Sequence, residues 1–179
     1  MSFKILQTSD NHIGETAYVR IDSATGLNAR GLDFFRSFEK ITGIALEKKV
    51  DVLLVVGDFF TKVNPYQRYI LETMKILRRL AKTGIESIFV SGNHETPKLA
   101  TTVNPLSLLE QIDGVHEALE PKTITIKDTD FVCVPSPSNF DEICNMFQPL
   151  LQKALATSNA EKKVLAAHIP IAQACLSDG

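Results

Sequence analysis

The sequence predicts an α/β fold built on a parallel sheet. Three observations carry that prediction. Short hydrophobic runs alternate with longer segments of helical periodicity, in the order β-α-β-α-β. One run, Val52-Leu53-Leu54-Val55-Val56, is apolar at every position, the pattern of a strand covered on both faces. The runs end in short polar clusters, Asp10-Asn11-His12, Gly57-Asp58 and Gly92-Asn93-His94-Glu95. A parallel sheet places such clusters together at the carboxyl ends of its strands, where α/β folds bind their ligands.

Residues 3–8 read as the first strand. Residues 13–28 carry Gly14, Gly26 and several polar side chains and read as a long loop, a length that is often functional. Over residues 31–49, Leu32, Phe35, Phe38, Ile41 and Ala45 fall at helical spacing. The second strand is the apolar run at 52–56. Asn64-Pro65 has the form of an N-cap followed by proline at the first helical position, opening a helix to about Lys82 that Gly84 stops. Residues 85–90 form the third strand. After a second loop, a short helix opens at Asn104-Pro105. Residues 123–127 and 131–134, joined by Asp128-Thr129-Asp130, read as an antiparallel hairpin. Ser138 caps a helix containing Ile143, Met146, Phe147, Leu150 and Leu151, and a last strand at 164–167 ends at His168.

A chain of 179 residues suffices for one domain with a substantial core. Its 44% hydrophobic and 22% charged residues are ordinary for a soluble protein. The net charge of −2 rules out a global basic field, though local patches and metal ions also attract phosphate. Lys75, Arg78, Arg79 and Lys82 recur at helical spacing and are expected to form a solvated helix face. Cys133, Cys144 and Cys175 have neither metal-finger nor redox spacing, and are expected to be small buried hydrophobes in a reducing cytosol. The first residues lead straight into a strand-like run, and no apolar stretch is long enough for a bilayer. A cytoplasmic protein without a membrane partner is therefore expected.

The polar clusters hold the chemistry. Residues two apart in an extended segment point the same way, so Asp10 and His12 can reach one cation. Such a triplet taken alone is equally a surface turn. Asp58 offers two carboxylate oxygens and can bridge two ions, although an aspartate after a strand also suits a turn. Asn93 supplies a neutral oxygen, and His94 a ligand nitrogen or a proton. Of the four histidines, His12, His94 and His168 directly follow strand-like runs. His116 does not, and reads as a surface or packing residue. Together the clusters suit a pair of divalent metal ions attacking a phosphoester.

The order Asp-x-His, Gly-Asp, Gly-Asn-His-Glu, His resembles the calcineurin-like metallophosphoesterases. Three segments make the SbcD-type nucleases of double-strand-break repair the most similar group: Gly57-Asp58-Phe59-Phe60, Thr25-Gly26-Leu27-Asn28-Ala29-Arg30 and Gly92-Asn93-His94-Glu95-Thr96-Pro97. The resemblance implies a layered α/β/β/α sandwich, incomplete at its C-terminal end. It implies that Asp10 and His12 hold one metal, that Asp58 bridges both, and that Asn93 and His168 hold the second. His94 would be catalytic, steadying the phosphate or protonating the leaving oxygen, and Glu95 would orient His94. Two divalent ions are implied, manganese first, with iron, zinc or magnesium as alternatives. The family's Gly-His-x-His block, which gives one histidine to each metal, is not found in residues 1–179. The chain is accordingly expected to be the N-terminal portion of a phosphoesterase domain, without a capping domain. The implied activity is exonuclease or endonuclease cleavage of DNA ends by a homodimer partnered with an SMC-like ABC ATPase of the SbcC type. Two alternatives stand beside it: a phosphoesterase for small diesters, and a non-catalytic scaffold.

Overall fold

A computed structural model describes residues 2–137, 149, 152–153, 156 and 160–169. Ser138 and the apolar residues named for the helix after it lie outside the described residues, as do Cys144 and Cys175. The elements run β1 (Ile5–Thr8), α1 (Ala29–Lys48), β2 (Val52–Val56), α2 (Gln67–Ala81), β3 (Glu86–Val90), α3 (Leu106–Leu109), β4 (Val115–Ala118), β5 (Lys122–Ile126), β6 (Thr129–Val134) and β7 (Lys162–Ala167). Strands β1 to β4 form a parallel sheet in chain order. A sheet that advances strand by strand in one direction, through crossovers of one hand, puts every crossover helix on the same face. That is the arrangement here. Leu53, Val55 and Phe89 pack against Phe35 and Phe38 of α1, Ile76, Leu77 and Leu80 of α2, and Leu106 and Leu109 of α3.

The other face of the sheet carries Val52, Leu54, Val56, Ile88, Val90 and Ala118. It is covered by a second sheet through Ile126, Phe131, Cys133 and Ala166. This sheet has the order β5-β6-β7, with β5 antiparallel and β7 parallel to β6. The described residues thus form a layered α/β/β sandwich, with β2 buried at all five positions between two apolar faces. The wholly apolar run in the sequence has this cause.

Helix α1 begins where Asn28 accepts a hydrogen bond from the Gly31 amide through its side chain (3.0 Å). It ends at Lys49, which adopts the left-handed conformation. Gly31, Leu32, Phe35, Phe38, Thr42 and Ala45 make its buried stripe, while Ile41 packs at the margin. Helix α2 differs from expectation. It starts at Gln67, after Tyr66, and no side chain caps it. The Ile13–Phe60 bridge and the bond from the Thr61 amide to the Ile13 carbonyl (3.2 Å) hold the preceding chain against the β1 loop. Helical geometry is resumed only beyond that tether. Lys75, Arg78, Arg79 and Lys82 form the exposed face of this helix, as expected. In α3 the proline is likewise outside the helix, and Asn104 accepts from the Leu106 amide (3.0 Å).

The hairpin is tighter than expected, with the turn at Lys127-Asp128 and Thr129 and Asp130 inside β6. Strand β4 was not predicted, because its four residues include two polar ones and leave no clear period. His116 lies within it and pairs with Glu86 at 2.8 Å. Cys133 is fully buried, and desolvation pushes its thiol pKa up to about 12, which leaves it a packing residue. No helix among the described residues is long and apolar enough to cross a membrane.

Candidate metal centre

The strand register brings the polar clusters side by side. Thr8 pairs with Val55, Val56 with Val90, and Val134 with Ala167, so the chain leaves β1, β2, β3 and β7 at one end of the sandwich. Backbone bonds then join the loops. The Asp10 amide donates to the Gly57 carbonyl (3.1 Å), the His12 amide to that of Asp58 (3.0 Å) and the Gly57 amide to that of Val90 (2.9 Å). The second sheet is tied in by the bond from the Ser136 amide to the Ser91 carbonyl (2.9 Å), while the His168 amide continues the β6–β7 ladder to the Val134 carbonyl (3.0 Å).

This zipper holds Asp10 (φ 51°), His12 (φ 44°) and Asp58 (φ 49°) in left-handed backbone conformations. Non-glycine residues adopt these at a cost of about 1–3 kcal/mol each, and such strain clusters at functional sites. The packing beneath supplies the compensation. Phe59, next to Asp58, is fully buried and meets the rings of Phe38, Phe60 and Phe89 edge-on at 4.9, 4.7 and 4.9 Å. Each such contact contributes about 0.5–1.5 kcal/mol beyond area burial. Two glycines are required by close approach. A Cβ on Gly92 would collide with Asp58, and one on Gly57, itself at φ 79°, with the His168 ring.

Asp58 is the centre of the cluster and is only 4% exposed. Its Oδ1 accepts from the His94 amide (3.0 Å). Its Oδ2 faces Nε2 of His168 at 3.5 Å and Nε2 of His94 at 3.9 Å. Two groups of potential ligand atoms converge within 4.8 Å: His12, Asp58 and His94, and Asp10, Asp58 and His168. Asp58 is common to both. The geometry also joins residues the sequence order does not, setting Asp10 with His168 and His12 with His94. The His12 and His94 rings meet edge-on at 4.7 Å. Asn93 follows on the β3 loop and is exposed beside His94.

Hydrogen bonds define which nitrogen each imidazole presents. His168 Nδ1 lies 3.2 Å from the Val56 carbonyl and His94 Nδ1 3.0 Å from the Thr61 carbonyl. A carbonyl only accepts, so each Nδ1 carries the hydrogen and each Nε2 points to Asp58. In a neutral imidazole that Nε2 is a lone pair facing a carboxylate oxygen, an arrangement a cation satisfies. His12 Nδ1 is buried and lacks a hydrogen-bond partner among the described residues. The donor set is therefore mixed imidazole nitrogen and carboxylate oxygen, with one orphaned ring nitrogen. Divalent transition ions fit it.

Glu95 does not meet the His94 ring. It is fully buried, and its Oε1 accepts from the Gly92 amide (3.0 Å) and the Phe59 amide (3.3 Å), clasping the β3 loop to the β2 loop. Burial pushes its pKa up to about 7, with the neighbouring Asp58 charge adding to the rise. The His94 ring is held instead by Thr61. The Thr61 hydroxyl donates to Glu15 Oε2 (2.9 Å), and that bond lowers the Glu15 pKa. Sequence reasoning missed Thr61, since a backbone carbonyl leaves no mark in the residue pattern.

With this geometry in place, the similarities of the chain can be set beside it. Residues 3–179 match the calcineurin-like phosphoesterase family. Among curated relatives, the DNA double-strand break repair protein Mre11 of Saccharolobus solfataricus is 26% identical over 178 residues, covering 98% of this chain and 43% of that protein. Its counterpart from Sulfurisphaera tokodaii is 27% identical over 158 residues, covering 85% and 39%. That from Methanosarcina acetivorans is 37% identical over 116 residues, covering 65% and 17%. The chain spans less than half the length of these relatives.

Proposed function

The chain belongs to the calcineurin-like phosphoesterase family, and on that premise we propose that its polar cluster is a two-metal centre for hydrolysing phosphodiester bonds of DNA ends in double-strand-break repair. One observation carries the reading: two convergent groups of potential ligand atoms share Asp58, whose carboxylate is buried. Asp10, His12, Asp58, Asn93 and His168 would hold the ions, with Asp58 common to both. Bound divalent ions, manganese first, would supply charge neutralisation for the phosphate and a hydroxide nucleophile at neutral pH. The similarity to Mre11 proteins supports DNA as the substrate. An SMC-like ABC ATPase partner and a homodimer belong to the same proposal.

The chain's own residues do the rest. The Thr61 carbonyl holds the hydrogen of His94 Nδ1, which leaves Nε2 as the atom that exchanges a proton with substrate. When the bond from phosphorus to the leaving oxygen breaks and that to the water oxygen forms, imidazolium Nε2–H protonates the departing oxygen. His168 is locked in one tautomer by the Val56 carbonyl. Glu95 fixes the two loops on which Asp58 and His94 ride.

The test is manganese-dependent cleavage of end-labelled duplex DNA, run beside bis(4-nitrophenyl) phosphate. The resemblance implies one further histidine for each ion, so this chain is assayed with a version extended downstream. Metal-dependent cleavage of DNA is expected. Hydrolysis of the small diester with DNA left intact overturns the choice of substrate, and failure to bind manganese overturns the metal centre. His94→Ala is expected to retain manganese binding, read by titration calorimetry, while turnover falls by about 10²–10⁴-fold.

A further inference from the structure

A groove of about 410 Å³ opens on His94 and Asn93, within the range of about 300–1,000 Å³ that small-ligand clefts occupy. Its remaining walls are Val63, Asn64, Thr96, Lys98, Leu99 and Thr102. The loop that forms it is tied down at both ends to Ser91, which is buried at the end of β3. The Thr96 hydroxyl donates to the Gly92 carbonyl (2.6 Å) and lies 3.2 Å from the Ser91 hydroxyl, and Asn104 Nδ2 donates to Ser91 Oγ (2.9 Å). A bond from the Thr102 amide to the Leu99 carbonyl (3.0 Å) closes the turn between them. Lys98 is exposed on this loop and forms no ion pair among the described residues. Lys62, on the loop after β2, is already placed over the Tyr66 ring (4.4 Å).

His94 protonates the leaving oxygen in the reading above, so the departing part of the substrate lies against His94 and extends into this groove. In a polynucleotide that part carries a sugar, a base and the next phosphate. The groove supplies each of these with a matching surface. Val63 and Leu99 are apolar walls, Asn64 and Thr102 offer hydrogen bonds, and Lys98 offers a charge without an ion-pair partner among the described residues.

We propose that this groove is the subsite for the leaving nucleotide, with Lys98 binding the phosphate that follows the bond cut. The inference rests on the phosphodiesterase reading, and deepens it by giving the site a preference for polynucleotides over isolated diesters. A small diester carries no second phosphate for Lys98 to bind, whereas a nucleic acid strand does.

The test compares wild type with Lys98→Ala and Lys98→Arg in two ways. The first is binding of a fluorescent single-stranded oligonucleotide by metal-free protein across a sodium chloride series. Loss of one phosphate contact is expected to lower the log–log salt slope by about 0.7, with Lys98→Arg restoring it. The second is steady-state hydrolysis in manganese, where Lys98→Ala is expected to raise the KM for the oligonucleotide relative to that for bis(4-nitrophenyl) phosphate by about fivefold. An unchanged salt slope, or an unchanged KM ratio, overturns the subsite. A downstream-extended wild type that hydrolyses neither compound overturns the phosphodiesterase reading itself, and the salt slope still decides whether Lys98 meets phosphate.

Discussion

At the amino ends of the parallel strands, Asp51 accepts a hydrogen bond from the Lys4 amide (2.8 Å) and pairs with Lys127 across the two sheets. Those contacts lower its pKa, the Lys127 bond most of all. Glu86 nearby pairs with His116 at 2.8 Å. At the carboxyl ends, Asp10, Asp58 and Glu95 gather with three histidines, and among the described residues neither Lys nor Arg pairs with them. The backbone follows the same division. Left-handed residues at the amino end, Lys49 and Lys127, close a helix and a hairpin. Those at the carboxyl end, Asp10, His12 and Asp58, each carry a side chain of the candidate centre. One edge of the sheet sets Asp51 against a lysine and Glu86 against an imidazole. The other gathers its acids among imidazoles alone, an arrangement that stabilises a bound cation at the expense of the metal-free protein.

That contrast can be broken by neutralising acids at each edge. The largest effect is expected at the carboxyl end. Asp58→Asn keeps an oxygen for the His94 amide and tolerates φ 49°, but loses the shared charge. Losing several kcal/mol of metal-centred charge stabilisation lowers turnover by about 10³-fold or more. The thermal midpoint of the metal-free protein is expected to hold or rise. A lowered midpoint with retained turnover would mean that Asp58 is a structural residue. Calorimetric manganese titration and a thermal melt make the comparison.

Glu95 sharpens it next. Glu95→Ala strips the acceptor from the Gly92 and Phe59 amides, and leaving them buried and unsatisfied costs about 2–3 kcal/mol. Glu95→Gln keeps an acceptor oxygen in place, so its cost is expected to stay within about 0.5 kcal/mol. Urea denaturation of the metal-free variants separates them. Equal losses in both would show that the charge, and not the clasp, is what the fold uses.

The smallest effect is expected at the amino end. Asp51→Asn removes a partly exposed ion pair and weakens an accepted amide bond, costing about 0.5–1 kcal/mol at pH 7. Because the folded-state pKa of Asp51 lies below its ordinary value, its contribution is full above that value. It is lost as pH falls through the folded one. Wild type and Asp51→Asn therefore converge in stability as the pH is lowered from 7 toward 3. A gap that widens on acidification would reverse the sign of the pairing.

Much of the fold was legible in residue order because its signals are local. The apolar run 52–56 needs two covered faces, and Leu32, Phe35, Phe38 and Ala45 need one helix stripe. The start of α2 was misread because Asn64-Pro65 has good cap chemistry, while the tether of Phe60 and Thr61 to Ile13 outweighs it. Strand β4 went unread because its pairing with β3, not its own pattern, makes it a strand.

The sequence by itself determined that polar clusters end hydrophobic strands, since buried runs leave carboxylates and imidazoles only the strand ends. It thereby named Asp10, His12, Asp58, His94 and His168 as candidates for one site. Tertiary structure decided how they combine. Register sets Asp10 with His168 around Asp58, and His12 with His94. Backbone carbonyls of Thr61 and Val56, 33 and 112 residues from the rings they hold, select the nitrogen each imidazole presents. Glu95 reaches 36 residues back to clasp the Phe59 amide instead of orienting its neighbour His94. Such choices depend on atoms brought close by folding, and a hydrogen bond acts over a distance that chain order does not encode.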